Sequence, residues 1–160
     1  AILPLRYRHD YLNDSKQLTP ARRIHLRPII QEQAIAWAVG EASPAEIDQH
    51  NILQASYLAM HRAIAQLQHT PALLLIDGHQ IRPYPGIRHE CIVKGDARLA
   101  PIAAASVLAK TYRDAQLHTL AQAYPAYGWD TNVGYPTQAH RQAIREHGVT
   151  PQHRASFKLV

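Results

Sequence analysis

Two aspartates stand where an α/β protein could place catalytic or metal-binding groups. Asp77 ends an apolar run, "ALLLID" (72–77), that is typical of a fully buried strand, and a glycine follows it. Asp96 comes after a second, shorter strand-like run, "ECIV" (90–93). Ligands of open α/β sheets bind outside the carboxyl ends of the strands. If the two strands are neighbours, both carboxylates therefore project from one edge of the sheet.

Such a pair of carboxylates could do metal chemistry. Carboxylates gathered in one place repel each other unless a cation neutralises them. Mg²⁺ and Mn²⁺ suit oxygen ligands and typically take one or two carboxylates together with substrate phosphates. A metal held in this way generates a hydroxide and stabilises the leaving oxygen of a phosphodiester. Asp-Gly and Lys-Gly-Asp are also ordinary turn sequences, so the spacing alone leaves a purely structural interpretation open.

The segments before these aspartates predict helices with recognisable starts. Thr19 and Pro20 predict the start of a helix over 19–34, although Pro28 makes its middle doubtful. Ser43 and Glu46 form a capping-box pattern for a second helix. The expected apolar face of the first helix comprises Ile24, Leu26, Ile29 and Ile30.

A third helix is predicted to follow the cap residue Asn51, and a short β-like run is expected at 35–40. The strongest helical pattern covers 100–124, and its small residues require close backbone packing. A last helix is predicted to end at Gly148. Strands that alternate with helices indicate an α/β fold with an at least partly parallel sheet. The expected buried side of the third helix comprises Ile52, Leu53, Leu58, Met60, Ile64 and Leu67.

The composition fits one globular domain that carries a basic surface. The chain has 160 residues, of which 46% are hydrophobic and 18% charged, and no apolar run approaches the roughly 18 residues of a membrane span. Cys91 is the single cysteine, so with no signal-peptide pattern the expected location is the reducing cytoplasm. The 17 Lys and Arg exceed the 12 Asp and Glu, which favours nucleic acid as a partner, although a merely basic soluble protein fits equally well.

Several strings carry a resemblance to a known family. They are "NDSKQL", "AWAVGEASPAEID", "NILQASYLAMHRAI", "LLIDG", "IVKGDARLAPIAAASVLAKTYRD", "YGWDTNVGYPTQAHRQAI" and "HRASF". In these strings, and in register from residue 1 to residue 160, the chain closely resembles bacterial ribonuclease HII. The resemblance implies a single domain, 1–160, with a ribonuclease H-like mixed sheet flanked by helices and a helical or irregular C-terminal segment.

The resemblance also implies an activity. The resemblance implies that the substrate is the RNA strand of RNA–DNA hybrids, including single ribonucleotides embedded in duplex DNA. The expected oligomeric state is a monomer. Such enzymes hydrolyse the RNA strand with Mn²⁺ or Mg²⁺ and leave a 3′-hydroxyl and a 5′-phosphate. Asp77 and Asp96 match two of the family's four metal-binding acids.

The other two acids of the family have no counterpart in this sequence. They form an adjacent Asp-Glu in an Asp-Glu-x-Gly-Arg-Gly motif on the first strand, and no such motif occurs here. Residues 1–3 match the end of the family's second strand. We therefore expect the central first strand to be missing, as in an N-terminally truncated chain. The alternative function is that of a catalytically silent nucleic-acid-binding fragment of the same fold.

Substrate contacts are implied at further positions. Tyr135 of "VGYPT" resembles the family's tyrosine that packs on the sugar at the RNA–DNA junction; the alternative is a loop tyrosine that closes over the core. The string "NDSK" is placed like residues that meet the nucleic-acid backbone, or forms only a helix-entry turn. The predicted backbone and phosphate contacts are Asn13, Ser15, Lys16, Lys94, Ser106 and Lys110.

Two other functions fit the sequence less well. The spacing of His140, His147 and His153 matches no zinc site, and His140 is better explained as a helix-surface or packing residue. A small-molecule phosphate enzyme of the doubly wound type would require a glycine-rich phosphate loop, which the sequence lacks.

Overall fold

The computed structural model describes residues 1–12 and 17–157, which fold into helices and one small sheet. No helix in these ranges is both long and apolar enough to cross a membrane. The helices are α1 (Pro20–Gln33), α2 (Pro44–His50), α3 (Ile52–Ala65), α4 (Ala100–Ala123), α5 (Trp129–Asn132) and α6 (Gln138–His147). The strands are β1 (Leu73–Asp77) and β2 (Arg88–Ile92), and short 3₁₀ helices lie at Gly95–Ala97 and Pro125–Tyr127.

The two strands pair in parallel, as the alternation of strands and helices predicts. The register runs from Leu73 opposite Arg88 to Asp77 opposite Ile92. Of the β1 side chains only Leu74 is buried, so the prediction of a fully buried strand was wrong. The reason is that β1 has a single hydrogen-bonded neighbour among the described residues.

The connection between the two strands is an irregular strap, residues 78–87, fastened to α3. The Tyr57 hydroxyl donates to the Gln80 carbonyl at 3.4 Å. The His61 Nε2 lies 2.8 Å from the Arg82 carbonyl oxygen, and the His61 ring meets the edge of Tyr84. These contacts tie the strap to α3, and so restrain the chain that follows Asp77.

The predicted helix caps are confirmed. Thr19 Oγ1 accepts from the Arg22 N–H at 3.3 Å. The capping box of α2 is complete, because Ser43 Oγ accepts from the Glu46 N–H at 3.2 Å and the Glu46 carboxylate accepts from the Ser43 N–H at 2.8 Å. Asn51 Oδ1 accepts two N–H groups of the first turn of α3, at 3.0 and 3.1 Å. These capping contacts are local in sequence, and they set the starts of three helices.

Helix α1 continues through Pro28, where the sequence made it doubtful. A proline has no N–H to donate, so the carbonyl of Ile24 lacks its helical partner. Both residues lie on the exposed face, and Ile24 is 68% exposed, so water can take that carbonyl. The prediction that Ile24 belongs to the apolar face was therefore wrong, whereas Leu26 and Ile30 are fully buried.

The inner face of α3 also differs from the prediction. Ile52, Leu53 and Met60 are exposed, whereas Ala55 and Tyr57 are buried. One of these buried residues is small and the other is a large aromatic residue. The large aliphatic residues therefore did not identify the buried side.

Residues 35–40 do not form the expected strand. Ile2 and Ala36 make only an isolated antiparallel bridge, with the Ile2 N–H donating to the Ala36 carbonyl at 2.7 Å. The chain then turns onto α3 at Gly40, where an added Cβ would lie 2.0 Å from the Ala59 carbonyl oxygen and 2.6 Å from the Ala63 nitrogen. This close approach to a helix replaces further pairing.

The chain comprises two compact units, each with its own core. The first contains the described parts of Ala1–Glu41 and Tyr57–Thr111, and the second contains Ala42–Ser56 and the chain from Tyr112 onward. The first core consists of Leu18, Leu26, Ile30, Ala104, Val107 and Leu108. The second consists of Leu117, Tyr127, Trp129, Ala143 and Ile144. Ala104 has no exposed surface, which confirms the close packing predicted for the small residues of α4.

The second unit contains a cluster of rings that includes His140. Tyr127 and Trp129 stack with their centroids 5.2 Å apart, and His140 and His153 stack at 5.3 Å. Asn132 Nδ2 donates to the Tyr127 carbonyl at 2.7 Å, and His140 Nδ1 lies 2.8 Å from the same oxygen. His140 is buried, so its prediction as a packing residue is confirmed.

Candidate active site

Asp77 lies at the carboxyl end of β1, with its side chain exposed. Its Oδ1 atom accepts a hydrogen bond from the backbone N–H of Gly95 at 2.8 Å. Since Gly95 directly precedes Asp96, this bond brings the loop that carries the second aspartate to the end of the strand that carries the first. The two aspartates singled out from the sequence thus belong to one local structure.

The loop that carries Asp96 is built by two unusual residues. Lys94 adopts the left-handed conformation, with φ 55° and ψ 41°, and turns the chain out of β2. Gly95 then begins the 3₁₀ helix and is buried. A Cβ added there would lie 2.5 Å from Ile102 Cδ1 and 3.6 Å from Asp77 Oδ1. The loop therefore packs closely against the first turn of α4, and a larger residue at position 95 would require the Ile102 side chain to shift.

Asp96 is buried, with 7% of its surface exposed, and it contributes to the wall of a cleft of about 620 Å³. Two segments of the first unit, 3–12 and 96–103, line this cleft. Asp96 makes an interaction of its own, and its place in the wall also puts a carboxylate, an oxygen ligand of the kind that hard cations prefer, beside the open cleft.

The cleft has a basic rim. Arg6, Arg8 and Arg98 line it, and all three are exposed. Tyr7 also lines the cleft, and its buried hydroxyl has no hydrogen-bond partner among the described residues. Its burial raises the pKa of Tyr7, so the phenol stays protonated and can donate. Asp10 and Asp96 also line the cleft, so three arginines face two aspartates and the lining is positive by one charge, which favours an anionic ligand such as a phosphate of a nucleic acid.

The candidate metal ligands are of the type that a hard divalent metal prefers, but they are few. Asp77 and Asp96 supply carboxylate oxygens, the ligand type that Mg²⁺ and Mn²⁺ prefer. Within 1–12 and 17–157, no group of three or more His, Cys, Asp or Glu side chains is placed to hold a metal. Two carboxylates together with substrate phosphate are a sufficient set for Mg²⁺.

The other predicted site residues fall into three groups. Lys94 is exposed beside Gly95, and Ser106 and Lys110 lie partly buried on α4, where both make contacts of their own. Tyr135 belongs to the second unit and is 65% exposed, which disfavours the alternative in which it closes over the core. The predictions at Asn13, Ser15 and Lys16 lie outside the described residues.

Sequence reasoning missed three residues of this site. Gly95 was treated only as part of a turn, although a glycine directly before a candidate acid is a signal for close backbone approach. Tyr7 and Arg98 were not singled out, because no local pattern marks them. Their position in the cleft depends on how distant segments meet.

The fold is similar to two solved archaeal structures. The ribonuclease H2 from Pyrococcus horikoshii OT3 matches with a TM-score of 0.77 and 24% identity, over 93% of this chain and 78% of that chain. The RNase HII of Archaeoglobus fulgidus, solved in a complex with PCNA, matches with a TM-score of 0.70 and 22% identity, over 92% and 78%. The fold is thus a mixed α/β architecture of the ribonuclease H2 type, which confirms the predicted fold class.

The family follows from the sequence comparisons. The family model described as Ribonuclease HII matches residues 8–160. The ribonuclease HII of Parabacteroides distasonis is 58% identical over 159 residues, which cover 99% of this chain and 80% of that protein. The ribonuclease HII of Porphyromonas gingivalis is 55% identical, over 99% and 79%. The chain belongs to the ribonuclease HII family.

Membership in this family establishes the broad activity. Ribonucleases HII are RNase H-type endoribonucleases, that is, hydrolases that act on nucleic acid, and they generally depend on a divalent metal. The predictions of the family and of the enzyme class are confirmed.

Proposed function

We propose that this protein hydrolyses the RNA strand of RNA–DNA hybrids, including ribonucleotides embedded in duplex DNA, and leaves a 3′-hydroxyl and a 5′-phosphate. The observation that carries the proposal is the hydrogen bond from the Gly95 N–H to Asp77, which joins Asp77 and the Asp96 loop at one edge of a parallel strand pair. In a ribonuclease HII, two carboxylates in this position are suited to phosphodiester hydrolysis. The substrate implies a role in DNA replication and repair, which takes place in the cytoplasm of a bacterium.

In this proposal Asp77 and Asp96 hold Mn²⁺ or Mg²⁺. The metal, when bound, supplies an activated water and stabilises charge on the phosphodiester. Asp77 offers an exposed carboxylate whose orientation is fixed on one side by Gly95. Asp96 offers a buried carboxylate at the cleft wall. Arg8 and Arg98 lie on the cleft rim, where their guanidinium groups suit phosphate oxygens.

The remaining predicted contacts serve binding rather than chemistry. An exposed Tyr135 ring can pack on a sugar of the substrate. Lys94 has an exposed ammonium next to the site, which suits a backbone phosphate. The other proposed backbone contacts are Asn13, Ser15, Lys16, Ser106 and Lys110.

Substitution of the two aspartates tests the proposal. Asp77→Asn and Asp96→Asn should each slow Mn²⁺-dependent cleavage of a duplex with one ribonucleotide by about a hundredfold or more, roughly 3 kcal/mol of barrier. Glu32→Gln is the matched control, because Glu32 is an exposed acid of α1 away from the cleft lining, and it should keep the normal rate. Normal rates in both Asn variants would refute the assignment.

A second candidate function is binding without cleavage. It is favoured by the small donor set, since the described ranges contain no group of three metal-binding side chains and the sequence contains no adjacent Asp-Glu. Incubation of the 160-residue chain with a hybrid duplex and Mn²⁺ separates the two functions. Cleavage that EDTA abolishes would exclude the silent binder. Retention of the duplex without cleavage would favour it for this chain.

A further inference from the structure

We propose that Gly95 is a positioning residue, whose backbone N–H orients the Asp77 carboxylate for metal binding. The proposal rests on the role proposed above for Asp77. It adds a group that makes no contact with the metal or the substrate itself. The hydrogen bond to Oδ1 fixes the orientation of the Asp77 carboxylate, which would hold the metal.

The hydrogen bond supplies an orientation that Asp77 would otherwise lack. Asp77 is exposed at the end of β1, and an exposed side chain samples several rotamers. The Gly95 N–H lies 2.8 Å from Oδ1, a normal length for a bond to a carboxylate. A bond to an ionised acceptor is roughly twice as strong as a neutral one. It therefore favours one rotamer, and ligands of a catalytic site must be held within about 0.5 Å of the productive geometry.

The direction of this N–H is set by its two neighbours. The left-handed conformation of Lys94 turns the chain immediately before Gly95. On the other side, Ile102 Cδ1 lies so close that a Cβ at residue 95 would stand 2.5 Å from it. Ile102 is buried near the start of α4. The N–H is thus aimed by a turn on one side and by a packed helix on the other.

The same peptide serves both aspartates. Asp96 is the next residue, so any displacement of Gly95 away from Ile102 also moves the buried carboxylate at the cleft wall. Gly95 therefore couples the orientation of Asp77 to the position of Asp96. This explains why a buried glycine in a tight contact stands at this place in the chain.

Amide hydrogen exchange measures the hydrogen bond without any metal. In the metal-free protein, the Gly95 amide should be protected from exchange. Asp77→Ala should speed its exchange about tenfold or more, because it removes the acceptor. Asp77→Asn keeps an oxygen acceptor and should preserve most of the protection. Equal exchange in the wild type and in Asp77→Ala would overturn the proposal.

The effect on metal binding is tested by an ester that removes the N–H and also weakens the Lys94 carbonyl, which accepts the Ala97 N–H at 3.3 Å. Cys91 lies four residues before Gly95, so chemical ligation at Cys91 can introduce an ester in place of the 94–95 amide. The matched control is the all-amide protein made by the same ligation. We expect the Mn²⁺ concentration for half-saturation to rise by about 10- to 100-fold, measured by the EPR signal of free Mn²⁺, as for other groups that orient metal ligands.

Cleavage kinetics separate positioning from a structural role. The ester protein should need about 10- to 100-fold more Mn²⁺ for half-maximal cleavage and should recover nearly the normal kcat at saturating Mn²⁺. An unchanged Mn²⁺ requirement, with or without a lower kcat, would overturn the role of Gly95. Such a result would not affect the proposed function. The proposed function fails separately, if Asp77→Asn and Asp96→Asn both cleave at the normal rate.

Gly95→Ala gives a simpler comparison. Its Cβ collides with Ile102, and a second substitution, Ile102→Ala, opens the space while the N–H is kept. The double variant should therefore bind Mn²⁺ more tightly than Gly95→Ala does. If Ile102→Ala gave no rescue although both proteins were folded, the proposed steric aiming of the N–H would be wrong.

Discussion

The carboxylate of Asp48 holds the backbone of Ser156 across 108 positions of the chain. The Ser156 N–H donates to Asp48 Oδ1 at 2.9 Å, and the N–H of Ala155 donates to Oδ2 at 2.8 Å. The Ser156 hydroxyl donates to the same carboxylate. Both partners belong to the second unit, so this contact fastens the C-terminal turn to α2. It was not expected from the sequence, which indicates only a surface acid on a helix.

This contact predicts a loss of order in the C-terminal turn at acid pH. The hydrogen bond from the Ser156 hydroxyl, followed by that from the Ser156 N–H, lowers the pKa of Asp48 below its ordinary value of 3.8. A carboxyl with a lowered pKa stabilises the folded state above the ordinary value, and this contribution is lost as the pH falls through the folded-state pKa. The protection factor of the Ser156 amide, that is, its exchange rate compared with the intrinsic rate at the same pH, should therefore fall below about pH 4.

The matched control is Asp48→Asn, which has an acceptor oxygen but no titrating charge. Its Ser156 amide should exchange faster than in the wild type at neutral pH, and the acid-induced step should be absent. If the wild type and Asp48→Asn showed the same pH dependence of exchange, the step would have another source.

Gly40 predicts a large steric cost on substitution. A Cβ at this residue would lie 2.0 Å from the Ala59 carbonyl oxygen and 2.6 Å from the Ala63 nitrogen, both in the backbone of α3. The backbone of a helix cannot move aside as the end of a flexible side chain can, so the overlap is not relieved. Gly40→Ala should therefore lower the free energy of unfolding by about 3 kcal/mol. Denaturation by urea measures this change.

Gly86→Ala is the comparison for Gly40→Ala. Gly86 has a positive φ of 77° but nothing within 4 Å of an added Cβ, so its cost should be only the conformational strain, about 1 kcal/mol. Equal costs for the two variants would contradict the steric explanation at Gly40.

These residues show which features could be predicted from the sequence. The caps at Thr19 and Ser43 were predictable because donor and acceptor lie three residues apart. The bond between Gly95 and Asp77 spans 18 residues, so it depends on how β1 and the loop after β2 meet. Asp77 was found because a charge at the end of an apolar strand is a local signal. Gly95 was not, because its neighbours come from another element.

The same limit explains the errors on buried faces. On α3, Ile52 and Leu53 are large and apolar, yet the helix turns Ala55 inward. Residue type gives the free energy of burial, but the partner decides which face is covered. Gly40, for example, approaches α3 at the half-buried Ala59 and Ala63 and not at the large aliphatic residues.

The role proposed for Tyr135 predicts that its ring contributes to substrate binding and that its hydroxyl does not. In the proposed role its ring packs on a sugar of the substrate, so Tyr135→Phe should keep kcat/KM nearly unchanged. Tyr135→Ala should lower kcat/KM by about tenfold or more, which corresponds to roughly 1.4 kcal/mol. Because the side chain is 65% exposed, neither variant should shift the midpoint of thermal unfolding much.

Steady-state cleavage of a duplex with one ribonucleotide gives kcat/KM for both variants, and calorimetry gives the midpoint. A normal kcat/KM in Tyr135→Ala would rule out the sugar contact. A similar loss in both variants would instead assign the effect to the hydroxyl.

His153 predicts a pH dependence of stability near neutrality. Burial, followed by the neighbouring His140, lowers the pKa of His153 below its ordinary value of 6.5. The ring packs against Tyr127 and Trp129, its Nδ1 accepts the Thr150 N–H at 2.9 Å, and its buried Nε2 has no partner among the described residues. The structure thus holds the neutral imidazole.

The sign follows from proton linkage. Between the folded-state pKa and 6.5, the unfolded chain binds more protons than the folded chain, so the free energy of unfolding falls as the pH drops below 6.5. His153→Phe should remove this dependence, because it keeps a ring in the cluster and cannot bind a proton. His118→Phe, at an exposed position of α4, is the control and should leave the dependence unchanged. Urea denaturation between about pH 5 and 8 measures these slopes, and a slope that persists in His153→Phe would show that another group causes it.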